Sequence, residues 1–435
     1  MANTVNQAMQ SDAQSLVDDS PDYVKQVSAL AETHELSASE DIVSTSGIKL
    51  VASGTRIDPR LREKLLGHRL SGMTLEKSLA ITHGVSAETL TSDIGRLIDN
   101  DPWFKQLMAK SGDPGAMRHG VSRLKLPHEI LFRLTIAREQ RPGLYQHTLN
   151  VTFISHYLAL RSNLKPAAID HLLVAALCHD LGELYIDPEI LEPGHKINDD
   201  ERRFIYVHPI TGWLIIKELP GIDPETSKAV IQHQERLDGS GYPFALKAEE
   251  ISIAGRILAA ADISTSIMSR FNDHRRLSTL LRLNDNKYDR KVVDLLLEAI
   301  IQKELPHVKL ENDSLRKRLT GFAQLFEGWS RLRVDSATAQ CAPVVFLTDR
   351  IYNLRTVLLA SGFDPDSLDV PLQLAEEDAI IAAELTTISD ELHYQLLELK
   401  HEIERHTLDW ENALDPIAAV AFNDWRRQLI DCTQY

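Results

Sequence analysis

Between residues 127 and 275 the chain reads almost entirely as helix, and its apolar faces repeatedly carry an ionisable side chain. His147 opens a stripe continued by Val151, Ile154 and Leu158, which turns its imidazole toward a core. Asp180 lies in register with Ile169, Leu173, Ala176 and Leu177, with His179 about 100° round the same helix. Gly182 offers a helix stop just beyond. His208 shares a face with Phe204, Thr211 and Ile215, and His233 follows Ala229 and Val230. Asp262 sits among Leu258, Ala259, Ala261 and Thr265. One such residue would be an ordinary hydrogen-bonded core histidine or a capping aspartate. Four histidines and two aspartates on the inward faces of successive helices are a different matter. Two buried carboxylates without cations are very costly, and a divalent ion supplies the missing charge. Mixed imidazole and carboxylate ligands suit iron, manganese, nickel, cobalt or zinc.

Around this segment the expected fold is mainly α, with four parts. Residues 1–46 are polar, acidic and poor in aromatics, and read as mostly disordered apart from a short helix near Tyr23 to Leu36. Residues 47–120 form a small mixed module: a short strand in 48–57, helix from Pro59, and a further helix capped by Ser86 with the stripe Leu90, Ile94, Leu97, Ile98. Residues 121–285 hold the helical bundle core. There Pro127 and Pro166 suit first helical turns, Asn198 with Glu201 suits a capping box, and LDGSGYP (237–243) must be loop. Residues 286–435 form a helical extension. In it Ile381, Leu385, Ile388, Leu392, Leu396, Leu399 and Ile403 make a near-straight seam, suited to a bundle or a homodimer.

Net charge is -16, which disfavours duplex nucleic acid and anionic lipid as broad-surface partners. An anionic substrate must therefore be drawn by something local. The three cysteines, Cys178, Cys341 and Cys432, have no metal-knuckle or disulfide spacing, and no run of apolar residues is long enough to cross a membrane. The first residues have neither a basic flank nor an apolar core, so the expected compartment is the cytoplasm.

The segments HTLNV, AALCHDLGELYIDPEIL, HPITG, HQERLDGSGYP and RILAAAD occur in that order, and together they resemble the HD-GYP family of HD-type phosphohydrolases. The resemblance implies a metal-dependent phosphodiesterase that hydrolyses cyclic di-GMP to pGpG or GMP with two divalent ions. It implies that His147, His179, Asp180 and Asp262 hold one ion, and that Asp180 bridges to a second held by His208 and His233. His179 and Asp180, with Glu183, would be the catalytic group. Gly239, Gly241, Tyr242 and Pro243 would shape the substrate pocket. Arg256 would be either a phosphate or structural contact, or a surface ion pair. The chain departs from the family at several positions. Gln234 stands where a second histidine is usual, and Glu183 where a lysine is usual. The charge reversal at 183 is worth about 3 kcal/mol per charge at ~5 Å from a phosphate. Glu183 could instead bind a metal or act as a general base. Gly143 replaces a glutamate found in some members, so a third ion is not expected. The alternatives are a catalytically degenerate regulatory module that binds nucleotide or partner proteins, and a hydrolase of another phosphate ester.

Overall fold

The computed structural model describes residues 2–18, 21–44, 47–57, 61, 77–192, 195, 197–300, 312–334, 341–360, 363–411 and 416–433. Helices dominate, as the periodicity predicts. The chain divides into two compact units, residues 1–270 with 287–299, and residues 271–286 with 300–435.

The first unit begins with α1 (Ala2–Asp18) and α2 (Pro21–Thr33). Four short strands follow: β1 (Leu36–Ala38), β2 (Ile42–Val43), β3 (Lys49–Val51) and β4 (Leu79–Ile81). They form two antiparallel pairs, β1 with β4 (Leu36 opposite Ile81) and β2 with β3. The helices α3 (Ala87–Asn100), α4 (Pro102–Lys110), α5 (Pro114–His119), α6 (His128–Gln140), α7 (Pro142–Arg161), α8 (Pro166–Cys178), α9 (Asp199–Ile216), α10 (Pro224–Gln232) and α11 (Ile253–Phe271) come next. Helix α12 (His274–Leu283) belongs to the second unit, and the chain then returns to the first for α13 (Arg290–Leu297). The helix starts follow from local chemistry. The Ser86 hydroxyl accepts from Thr89 N at the head of α3, and Asn198 and Glu201 close a reciprocal capping box on α9. Pro142, Pro166 and Pro224 sit in first turns, where a missing N–H costs nothing, whereas Pro127 caps α6 from outside.

The second unit continues with α14 (Asn312–Val334), α15 (Ala342–Ala360), α16 (Asp369–Glu377), α17 (Ala379–Glu411) and α18 (Pro416–Cys432). The seam side chains Leu385, Ile388, Leu392, Leu396, Leu399 and Ile403 are buried, and α17 packs along α12, α14, α15, α16 and α18. The seam is thus filled within its own unit.

Three expectations need correction. Residues 2–18 are helical rather than disordered, and the short helix expected near Tyr23 forms over 21–33, because a few apolar side chains suffice to dock them. Ala13 of α1 packs with Val207 and Ile210 of α9, and Tyr23 of α2 stacks on Tyr185 at 4.6 Å between centroids. The boundary at 285/286 is replaced by an excursion and return, since Val292, Val293 and Leu296 give α13 a buried face in the first unit, where Tyr157 Oη donates to Leu295 O (3.1 Å). Of the expected strand 48–57, residues 49–51 form a strand and Arg56 an isolated bridge to Ser37. The helical start at Pro59 lies outside the described residues.

Candidate metal centre

Helix α8 ends at Cys178, with His179 as its C-cap, and Asp180 opens a short 3-10 turn over Leu181–Tyr185. The helical register read for Asp180 therefore breaks at the pair itself. Gly182 explains why the chain tightens here. A Cβ on it would lie 2.2 Å from the His208 carbonyl oxygen, so only glycine lets the turn lie directly on the backbone of α9. Its role is close approach rather than a left-handed helix stop.

Four helices and this junction bring the six expected ligands together. Two groups form, each with ligand atoms within 4.8 Å of one another: His147, His179, Asp180 and Asp262, then Asp180, His208 and His233. Asp180 is common to both. His147 comes from α7, His208 from α9, His233 from the end of α10 and Asp262 from α11. His147 Nε2 lies 3.0 Å from Asp262 Oδ1 and 3.5 Å from Asp180 Oδ2. His208 and His233 Nε2 lie 3.4 and 3.3 Å from Asp180 Oδ1.

Three of the rings are oriented by the same device. Nδ1 of His179, His208 and His233 contacts the carbonyl oxygen three residues earlier, at Ala176 (2.8 Å), Ile205 (2.7 Å) and Val230 (2.6 Å). A carbonyl only accepts, so each Nδ1 carries the hydrogen and each Nε2 faces inward with its lone pair. The Nε2 atoms of His208 and His233 are then 3.1 Å apart, and His179 Nε2 and Asp180 Oδ1 are buried with no hydrogen-bond partner. A set of inward-facing acceptors in a closed space fits a cation, and the carbonyl contacts are the support that metal-binding histidines normally have.

The electrostatics agree. Burial opposes charge throughout the cluster, yet the carboxylates outweigh it: His147 and His208 are raised, and His179 beside Asp180 is pushed up to about 9. Burial and the neighbouring His208 leave His233 lowered. Asp180 is held well below the usual carboxylate range despite its burial, and Asp262 below it through His147. The carboxylate charge that raises these imidazoles is the charge a bound cation would balance.

The other expected site residues take varied places. Glu183 is in neither ligand group. Burial and the nearby Asp180 raise its carboxyl, and Arg141 Nη2 lies 3.7 Å from it. The Gln234 amide is oriented by its partners. Its Oε1 accepts from Arg236 Nη2 (3.0 Å) and its Nε2 donates to Asp262 Oδ2 (3.0 Å). It therefore steadies a ligand instead of offering a lone pair. Gly239 adopts a φ of 81°, and a Cβ on Gly241 would lie 2.4 Å from Arg236 N, so the loop folds back tightly on its own start. The Tyr242 ring lies against Tyr206 (4.7 Å between centroids) and edge-on to His208 (6.2 Å), and Pro243 is buried beside it. Arg256 is occupied by Ile251 O, Ala248 O, Asp289 and Glu249, which is the ion-pairing alternative.

Sequence reasoning missed Tyr206, Glu235 and Arg141. Tyr206 is two residues from His208, off its helical face, so no periodicity marks it. The buried Glu235 carboxylate accepts from Phe244 N (2.7 Å) and Leu246 N (2.9 Å) and so pins the loop after Pro243. Nothing local distinguishes such a glutamate.

The HD-domain family matches residues 131–292. The chain is similar to a cyclic di-GMP phosphodiesterase of Borreliella burgdorferi, 28% identical over 39% of this chain and 47% of that protein. A cyclic di-GMP phosphodiesterase of Pseudomonas aeruginosa is 30% identical over 29% of this chain and 30% of its own length. A 3'3'-cGAMP-specific phosphodiesterase of Vibrio cholerae is 28% identical over 45% and 44%. The chain thus spans under half the length of each of these relatives. Among the described residues no helix is long and apolar enough to cross a membrane. Family match and ligand geometry fall on the same stretch: residues 131–292 match the HD-domain family, and the two ligand groups lie within them.

Proposed function

We propose that this chain is a metal-dependent phosphodiesterase of the HD-GYP type, hydrolysing cyclic di-GMP to pGpG or GMP. The observation that carries the reading is the pair of ligand groups joined at Asp180, with buried imidazole Nε2 atoms turned inward. Two divalent ions held there would supply Lewis acidity, a water of lowered pKa and charge neutralisation at a phosphate. The chain supplies the rest. Asp180 and Asp262 set the site's negative charge, and Gln234 keeps Asp262 in place. Tyr242 and Tyr206 offer an aromatic surface beside His208 against which a nucleobase can stack. Glu235 holds the loop that presents it. The names of the relatives support a cyclic dinucleotide as substrate.

The test is to load the full chain with manganese, iron, nickel or cobalt, add cyclic di-GMP, and follow pGpG and GMP by chromatography. Turnover that disappears in Asp180→Asn supports the reading. Absence of product with every metal, from protein shown to contain metal, overturns it. That result would favour a second reading, a regulatory module that binds nucleotide without turning it over. The Gln234 amide, which donates to a ligand where a further ligand is usual, points in that direction.

A further inference from the structure

We propose that Arg141 is the cation with which this site grips a substrate phosphate. The inference rests on the phosphodiesterase reading and adds the protein's own anion contact to it. A centre lined by Asp180, Asp262 and Glu183, in a chain of net charge -16, needs local positive charge to admit a phosphate, and a side-chain cation beside it would add to what bound ions supply.

The 3-10 turn places Arg141 beside the centre. In such a turn residues i and i+3 eclipse, so Glu183 emerges on the same side as Asp180, and Glu183 N donates to Asp180 O at 2.9 Å. Arg141 Nη1 donates to the Glu183 carbonyl oxygen (3.1 Å), and Nη2 lies 3.7 Å from the Glu183 carboxylate. The first contact anchors the side chain. The second is longer than a hydrogen bond and leaves the outer edge of the guanidinium uncommitted. The Arg141 side chain is only 13% exposed, and among the described residues these are its only side-chain polar contacts. Guanidinium carries five N–H donors in a flat fork that matches phosphate oxygens. None of its nitrogens is sealed from solvent without a partner, so the remaining donors stay open to an incoming anion.

The other arginines near the centre are committed. Arg236 donates to His233 O, Glu235 O and Gln234 Oε1 and lies over the Tyr288 ring. Arg256 is held by two carbonyls and two carboxylates. Arg141 is the one poised to receive an anion. It precedes His147 by six residues, so the helix that carries a metal ligand also carries the phosphate contact at its head.

The experiment compares the full chain with Arg141→Ala and Arg141→Lys, all loaded with manganese. Inorganic phosphate binding is measured by calorimetry, KM and kcat for cyclic di-GMP by product formation, and manganese per chain by elemental analysis. Losing a charge-assisted contact weakens binding by about tenfold to a hundredfold. Arg141→Ala is expected to lose that much phosphate affinity and to raise KM similarly, with kcat within a few-fold and manganese content unchanged. Arg141→Lys should recover part of the loss, since a point charge replaces the fork. Wild-type phosphate affinity and KM in Arg141→Ala overturn the proposal, as does loss of manganese, which would make Arg141 a scaffold residue. If phosphate binding depends on Arg141 but no variant hydrolyses cyclic di-GMP, the contact stands and the substrate reading falls. If wild type turns over cyclic di-GMP and Arg141→Ala matches its KM, the reverse holds. Wild type that binds neither ligand overturns both.

Discussion

Asp180 is the residue on which both ligand groups depend, whereas His233 serves one of them. Their substitutions should therefore differ in kind. Asp180→Asn should lower affinity for both ions by at least ~100-fold, since even supporting residues around metal sites are worth ~10–100-fold. His233→Ala should keep the ion held by His147, His179 and Asp262 and lose the other. Metal per chain after dialysis checks this; equal losses in the two variants would refute the shared role of Asp180. A second residue-level test lies outside the centre. His156 is 2% exposed, and burial together with the nearby Arg123 lowers its imidazole to about 4. The folded state then binds fewer protons than the unfolded one between about pH 4 and 6.5. The contribution is complete above 6.5 and is lost as pH falls toward 4, reaching about 2 kcal/mol by pH 5. Urea unfolding of wild type and His156→Gln at pH 7.5 and 5 should show wild type losing more by that amount.

At the level of elements, the short turn after His179 bears more than its length suggests. It is pressed onto α9 through Gly182 and is gripped from the other side by α2, where Gln26 Nε2 donates to Leu184 O (2.8 Å) and Tyr23 stacks on Tyr185. Tyr23 and Tyr185 are both fully buried. Tyr23→Ala should thus cost about 3–5 kcal/mol of stability, as large-to-small changes in cores do. Because the same turn presents Asp180, metal affinity should fall as well. Unfolding curves with and without manganese measure both; a destabilised variant with unaltered metal affinity would show that α2 supports the fold but not the centre.

For the whole molecule, an ion that binds only the folded state raises stability by mass action. At a hundredfold excess over Kd the gain is about 2.7 kcal/mol, or on the order of 5–10 °C in the midpoint of the unit that houses the site. Scanning calorimetry before and after chelation should show that shift in wild type and little of it in Asp180→Asn. Helical architecture and the six candidate ligands were legible in the chain, because amphipathic period and buried charge are local signals carried by His147, His208, His233 and Asp262 on apolar faces. Other features depend on partners remote in sequence: the docking of α1 on α9, the return of α13 to the first unit, and the orientation of the Gln234 amide by Arg236 and Asp262. Arg141 and Glu183 are 42 residues apart, and no spacing rule joins them. Periodicity specifies which side of a helix is buried, and so it pointed to candidate ligands such as His147, His208 and Asp262. What meets that side is set by the packing of all the helices together, and so the pairings, the tight turn at Gly182 and the contact of Arg141 with Glu183 emerged only once the chain had folded.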